Sequence, residues 1–520
     1  MSDRLAIGLA AGYAARDGFT VNDVTGHTVD DRSSGFGKAQ LLWTPNQAWD
    51  IRAIVSGERA RDGDYSLQDL GSLRRNPFHT SRDFEGFTNR DVMAPTVLVT
   101  RRGSAVDISS TTGVVRWKTQ DVTDLDYSAR PLIVRDNTEE AVQFTQEMRF
   151  SSAVDAPIRL SSGTTMKWQA GVSVFTQNYD QDAVNNFAPF VLSQFLGFPV
   201  VQHSPLSELD DAGVGVYGQG TWTIRGRLDL SAGARFAHEN KKAHLATFYA
   251  PAISTAANVS TDADFTHVSP QFSAAFRVGP RTTMYGTVVE GFKAGGFNPA
   301  SPSGRESYGE EHSWNYEGGL KSAFLNQRVS ISAAAFYIDW RDIQLTLPNP
   351  LVPAQFFIGN AGEARSAGVE FELSARPHRA VDLFGSFGFT HARFKDGSTS
   401  GGLDVSGHEL PNTPPFTANV GAEVSRALMP AATLYARGDV TVFGKRFYNE
   451  SNNESQSAYS LTNIRVGLRG ERLFGEGWVR NAFDTRYIPL AFAYGSLAPS
   501  GFLGEPGAPR TFGVRMGVGF

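Results

Sequence analysis

The chain has 520 residues, with 48 Lys and Arg against 53 Asp and Glu, a net charge of −5 and no cysteine. Disulfides and thiolate metal sites are thereby excluded, and without a basic stripe to neutralise phosphates the chain does not read as a nucleic-acid binder. Charged residues make up 19%, below a soluble norm of about 25%, while 53 Gly and 37 Phe favour one large β architecture over the several domains that length alone suggests.

No apolar run reaches the roughly 18 residues of a membrane-spanning helix. The longest candidate, Leu5 to Ala15, alternates Leu5, Ile7, Leu9, Ala11 and Tyr13 with small residues, so it reads as a strand and not as a secretory signal. That strand, over 4–14, opens a series. The next are predicted over 35–44, 49–58, 96–102, 107–119, 142–152 and 164–178, with Arg59 to Pro95 left as a long loop. The stretch from Asn185 to His203 is unusually oily for a loop, with Phe187, Phe190, Phe195 and Phe198. It suits a small helix packed on a barrel mouth or an aromatic platform for a ligand.

GVGVYG holds Gly213, Gly215 and Gly218 in the G-x-G-x-x-G spacing. A dinucleotide site needs a helix opening within that motif, whereas a hairpin follows, so the glycines read as small inward residues of a strand. Strands are then predicted over 213–224, 227–238, 266–277, 282–293, 313–323, 328–340, 365–376, 380–392, 415–426, 431–443, 458–469, 474–486 and 511–520. Their alternation is plain in Leu228, Leu230, Ala232, Ala234 and Phe236, and in Phe512, Val514, Met516, Val518 and Phe520. Period two gives each segment one oily face and one polar or small face. Glu370 and Glu372 share a polar face opposite Val369 and Phe371 and read as lumen lining, not as an acid–base pair. The ten His show no metal-ligand spacing and no Ser–His–Asp grouping emerges, so neither a metal, a cofactor nor catalysis is expected.

Segments of about ten residues match tilted strands crossing hydrocarbon, where only a closed barrel satisfies every backbone polar group. Connectors alternate in length. Short ones are IRGR (Ile224 to Arg227), VGPR (Val278 to Arg281), FLNQ (Phe324 to Gln327), RPHRA (Arg376 to Ala380) and GEG (Gly475 to Gly477). Long ones lie near Asn178 to Ala212, His238 to Phe265, Ala294 to His312, Asp342 to Ala364, Arg393 to Pro415 and Gly444 to Ala458. Aromatics gather where strands meet loops: Trp43, Trp49, Trp222, Trp314, Tyr316, Tyr337, Trp340, Phe447 and Tyr448. Short turns at one rim, long loops at the other and aromatic girdles spell an all-β antiparallel transmembrane barrel. About twenty strands, an even count, put both termini at the short-turn rim. The last strand is expected to close the cylinder, with Phe520 marking its end.

Several stretches resemble the TonB-dependent receptors of Gram-negative outer membranes, in the iron-complex branch. They are FTQEMRF (Phe144 to Phe150), LDLSAGARF (Leu228 to Phe236), EGFKAGGFNP (Glu290 to Pro299), WNYEGGLKSAFLNQRVSISAAAFYIDWRDIQL (Trp314 to Leu345), NAGEARSAGVEFEL (Asn360 to Leu373), VRNAFDTRYI (Val479 to Ile488) and the closing PRTFGVRMGVGF. The resemblance runs from about Arg4 to Phe520, so that 1–520 is expected to be one barrel domain, and it implies a 22-stranded barrel holding an N-terminal plug of roughly 150 residues that TonB grips, with assembly by the barrel machinery. Measured against that resemblance, the chain is expected to lack the plug, the signal peptide and the family's first hairpin, which agrees with a count of twenty strands. A fragment of a split or misread gene, a barrel isolated on its own and a plugless pore are the three readings of that departure.

The resemblance implies a receptor, not an enzyme, in the outer membrane, for a ferric siderophore or similar nutrient, with TonB reached only through the missing plug. A passive diffusion pore is the alternative. Candidate ligand contacts are Arg305, Tyr308 and His312 in one outer loop, Arg446, Phe447 and Tyr448 in another, and Phe187 and Phe190 in a third. Arg would pair an anionic chelate, and aromatics would stack on a planar group. For each, rim packing or contact with lipid and lipopolysaccharide is the plainer role.

Overall fold

The computed structural model describes residues 4–205, 208–299, 304–349, 352, 354–429 and 432–519. Twenty long strands follow one another: β1 (Leu5–Arg16), β2 (Arg32–Trp43), β3 (Trp49–Gly63), β4 (Phe87–Arg101), β5 (Val106–Asp124), β6 (Ile133–Ser152), β7 (Thr164–Phe187), β8 (Glu208–Ile224), β9 (Leu228–Ala250) and β10 (Ala257–Gly279). Then come β11 (Thr282–Lys293), β12 (Glu311–Phe324), β13 (Val329–Arg341), β14 (Ala364–His378), β15 (Val381–Phe394), β16 (Phe416–Met429), β17 (Ala432–Phe443), β18 (Tyr459–Gly470), β19 (Leu473–Arg480) and β20 (Thr511–Val518). Each pairs antiparallel with its neighbours in sequence, from Leu5↔Trp43 to Arg480↔Thr511, in one meander. Two short strands, Ile158–Ser161 and Val200–Pro205, lie against β7 and bring the sheet to 22 members.

The alternation sets the faces as expected. On β20, Phe512, Val514, Met516 and Val518 are exposed, while Gly513 and Gly517 lie under the rings of Trp478 and Phe474. A Cβ on Gly517 would stand 2.1 Å from the Phe474 ring, so only a bare position admits that inward aromatic. Gly213 and Gly215 likewise leave space for Phe175 and Arg235, as their reading as small inward residues requires, whereas Gly218, one step out of phase, is exposed on the outer face with Val216. Val216, Phe236, Phe272, Phe387 and Val420 extend the exposed belt around the sheet. So large an oily surface suits hydrocarbon and not water. Tyr316 bridges Trp314 and Tyr337 with ring centroids 6.3 Å apart on either side, a girdle fragment. Phe272→Lys would place a charge on this belt and should lower the refolding free energy in lipid vesicles by roughly 2–4 kcal/mol. Urea titration of the wild type, this variant and Phe272→Leu checks it, since a lumen-facing site would tolerate the Lys.

Several boundaries differ from expectation. Arg59 to Pro95 is not all loop: β3 runs on to Gly63 and β4 begins at Phe87. The strand ends there are polar, with Arg61 bonded to Asp91 at 2.9 Å and Arg90 to Glu58 at 3.0 Å. The expected loops Asn178 to Ala212 and His238 to Phe265 are largely extensions of β7 to β10. Beyond the membrane, water replaces lipid, so the ladder continues on polar pairs such as Asn240 to Asp264 without the oily alternation that betrays it. GEG lies within β19, which ends at Arg480. No helix forms between Asn185 and His203, where turns follow the end of β7.

The long connectors pack on one another. Leu67, Tyr127, Phe356, Tyr494 and Leu503 meet in one cluster, drawn from the connectors after β3, β5, β13 and β19. Strands this far apart in order share a lid only if the sheet rolls up. A short helix, α1 (Leu70–Arg75), joins the lid, capped at its start by Asp69, whose carboxylate accepts from Ser72 N at 3.0 Å. Tyr448 is buried in this lid and not in a girdle.

Both chain ends do lie at the turn rim, where Thr44 N donates to Arg4 O and Gly519 N to Arg472 O. The expected closure does not form. Among the described residues β1 bonds only to β2 and β20 only to β19. Phe520 lies outside the described residues.

Candidate ligand-binding rim

The connector after β11 folds back on itself, with Gly296–Phe297 paired to Ser307–Tyr308. The connector after β13 does the same, with Gln344–Pro348 paired to Phe356–Asn360. Gly295 permits the turn out of β11: a Cβ there would stand 2.3 Å from Tyr308 O. Asn298, almost wholly buried, ties the two hairpins together. Its Nδ2 donates to Arg305 O at 3.1 Å and Ile358 O at 2.9 Å, and its Oδ1 accepts from Ile358 N at 2.7 Å.

Between the hairpins and the start of β10 lies a cavity of about 430 Å³, lined by Phe265, Phe297, Arg305, Tyr308, Ile358 and Asn360. Arg305 is exposed at its mouth and Tyr308 half-buried in its wall. Burial raises the Tyr308 phenol above its ordinary value of 10.0, so it stays a neutral hydrogen-bond donor. Arg305 and Tyr308 are therefore brought together as a cation and a phenol on one concave surface. Asn298→Ala would orphan the backbone groups of Ile358, at about 1–3 kcal/mol for each buried group left unpaired. Faster amide exchange over residues 356–360, with the strand ladders unchanged, is the expected result.

His312 is not in this cavity. It opens β12 and faces His267 on β10, ring centroids 4.9 Å apart. The second loop trio is engaged within the lid. The Arg446 guanidinium donates to Pro489 O at 2.9 Å and Ile488 O at 3.3 Å. Tyr448 Oη donates to Ile488 O at 2.9 Å, and burial pushes this phenol up to about 12. Phe447 is half-buried under Lys445 Nζ, 4.5 Å from the ring centre. Phe187 is buried against Leu125 and Ile133, whereas Phe190 projects outward at a positive φ of 69°. The lumen below carries paired polar groups, Tyr217 with Glu147 at 2.5 Å and Tyr285 with Glu317 at 2.6 Å. Glu370 and Glu372 are exposed, Glu372 in a polar recess with Arg281 and Lys321.

Sequence reasoning missed the grouping of His267, Glu290 and His312. Their separations, 290 − 267 = 23 and 312 − 290 = 22, are each about one strand plus a turn, the only trace a meander leaves of such a cluster.

An antiparallel meander with an oily outer belt, short turns at one rim and a packed lid of loops at the other defines a transmembrane β-barrel. The model of the TonB dependent receptor-like β-barrel matches residues 3–480, and the chain belongs to that family. Among curated relatives, it is 25% identical over 310 residues to the pesticin receptor of Yersinia pestis, a match covering 58% of this chain and 43% of that protein. It is 24% identical over 245 residues to the metal-pseudopaline receptor of Pseudomonas aeruginosa, covering 46% and 32%. The chain thus spans less than half the length of these relatives. In fold it is similar to the ferric yersiniabactin uptake receptor of Yersinia pestis, with a TM-score of 0.85 at 18% identity over 99% of this chain and 76% of that one. It is similar also to the siderophore receptor PiuA of Acinetobacter baumannii, with a TM-score of 0.77 at 14% identity over 99% and 77%.

Proposed function

We propose that this chain is the barrel part of an outer-membrane receptor for TonB-dependent uptake of a ferric siderophore or similar metal chelate. One observation carries the reading beyond the family: the rim cavity sets the exposed Arg305 cation beside the Tyr308 phenol and three Phe rings, Phe265, Phe297 and Phe357. A guanidinium pairs with the carboxylates or catecholates of an anionic chelate, and aromatic walls hold its planar parts. The lid of packed connectors gives that cavity a fixed shape, which selects among chelates. On this reading the partners are the chelate, TonB acting through a plug domain, lipid and lipopolysaccharide around the belt, and the barrel assembly machinery. No catalytic role is assigned.

The test is growth and labelled-iron uptake in a Gram-negative host expressing this barrel joined to a plug domain of the family, across a set of ferric chelates, with and without TonB. Uptake of one chelate that requires TonB and falls in Arg305→Ala supports the proposal. Uptake indifferent to TonB, with steady conductance of the chain in planar bilayers, points instead to a passive pore.

A further inference from the structure

The ladder between β10 and β11 runs from Gly279↔Thr282 to Gln271↔Val289 and stops. Its next residue on β10 is Pro270, which has no N–H to donate. Above that point β10 stays with β9 and β11 with β12, out to Lys293↔Glu311. A slot opens between β10 and β11 at the loop rim, and four side chains fill it.

His267 reaches in from β10 and lies flat on Phe292 of β11, centroids 4.6 Å apart and planes 10° apart. Glu290 of β11 places Oε1 3.4 Å from His267 Nε2. His312 of β12, directly opposite Phe292, completes the group. One ligand atom from each of His267, Glu290 and His312 lies within 4.8 Å of the others. His312 Nε2 is in turn 3.3 Å from Glu310 Oε2.

Three features separate this group from an ordinary surface cluster. Glu290 is only 14% exposed, yet among the described residues it pairs with no Lys or Arg. His267 Nε2 is buried and makes no hydrogen bond. The His267 ring is fixed by stacking, so that lone atom is held toward the carboxylate. Two ligands at 2.0–2.1 Å from a tetrahedral ion stand about 3.4 Å apart, the separation found between His267 Nε2 and Glu290 Oε1.

We propose that His267, Glu290 and His312 bind a divalent transition-metal ion of the zinc type, with Glu310 orienting the His312 imidazole. Two imidazoles and a carboxylate select such ions over Ca²⁺ and Mg²⁺, which prefer all-oxygen shells. A carboxylate behind a ligating imidazole is the usual second partner. The ion joins three successive strands at the point where the β10–β11 ladder has stopped, so its binding energy stabilises the loop end of the barrel. The site stands apart from the Arg305 cavity, and its existence does not depend on what the barrel transports.

The test is calorimetric titration of the detergent-solubilised full chain with ZnSO₄, and with CaCl₂ in parallel. The expected result is one equivalent of Zn²⁺ bound and a raised melting temperature, with no response to Ca²⁺. Affinity should fall on the order of 100-fold or more in His267→Gln/His312→Gln and in the near-isosteric Glu290→Gln. His238→Gln/His244→Gln should leave it unchanged. Circular dichroism of each variant identifies any that fails to fold, and the Glu290→Gln comparison then decides. Absence of stoichiometric Zn²⁺ binding, or binding equal in wild type and Glu290→Gln, overturns the proposal.

Discussion

Arg82→Ala is expected to destabilise the loop lid by about 3–5 kcal/mol, because it strands a buried carboxylate. Arg82 and Asp64 are a wholly buried ion pair, with Nη1 3.2 Å from Oδ2. The guanidinium also donates to the carbonyls of Tyr65 and Leu67 and lies 4.8 Å from the Tyr127 ring. One side chain thus joins the connector after β3 to the connector after β5. Asp64 also accepts from Thr123 at 2.6 Å. Even with that help its pKa is raised, because burial outweighs the pull of Arg82. The variant's deficit should therefore depend on pH. Removing the cation makes folded Asp64 hold its proton more tightly still, while the unfolded chain releases it near the ordinary value of 3.8. The folded form then binds more protons than the unfolded one, and stability falls as pH rises above that value. Limited proteolysis of residues 64–86 at pH 5 and pH 8 should show a larger deficit at pH 8. A deficit that grows in acid would refute this account of the pair.

Leu73→Ala is expected to cost about 2–5 kcal/mol locally, as a cavity in a packed core does. Leu70 and Leu73 are both buried and fix α1 to Tyr448, Ile488 and Phe502. Six helical residues have no stability of their own in water, so α1 exists because of that contact. Hydrogen exchange over residues 67–75 and 488–503 should quicken in Leu73→Ala, while Leu73→Met should cost less than about 1.5 kcal/mol. The strand ladders should be unaffected in both, because the lid lies above the membrane belt. Loss of the whole barrel would show that lid and barrel form one cooperative unit.

The barrel was legible wherever lipid imposes its period. Leu228 to Phe236 and Thr511 to Val518 announce their faces because one side must be oily and the other bare or polar. The same rule explains the misses. Above the belt, β9 and β10 continue through Asn240 and Asp264, where both sides are wet and no alternation survives. The lid was illegible for a different reason. Leu67, Tyr127, Phe356 and Tyr494 lie in four separate connectors, and nothing local to any one marks it as part of a shared core. Of the site residues, Arg305 and Tyr308 share a connector and a cavity. Arg446 and Tyr448, chosen on the same chemical grounds, are bonded to the carbonyl of Ile488. Residue type proposes a contact, and burial decides what the contact is with.

Among the described residues, β1 and β20 each keep one edge without a ladder partner. Each is a row of amides that water cannot reach from the acyl-chain side, at a cost of several kcal/mol per unsatisfied group in hydrocarbon. Amides along these two edges should therefore exchange with deuterium faster than those of the interior ladders, where every strand has a partner on both sides.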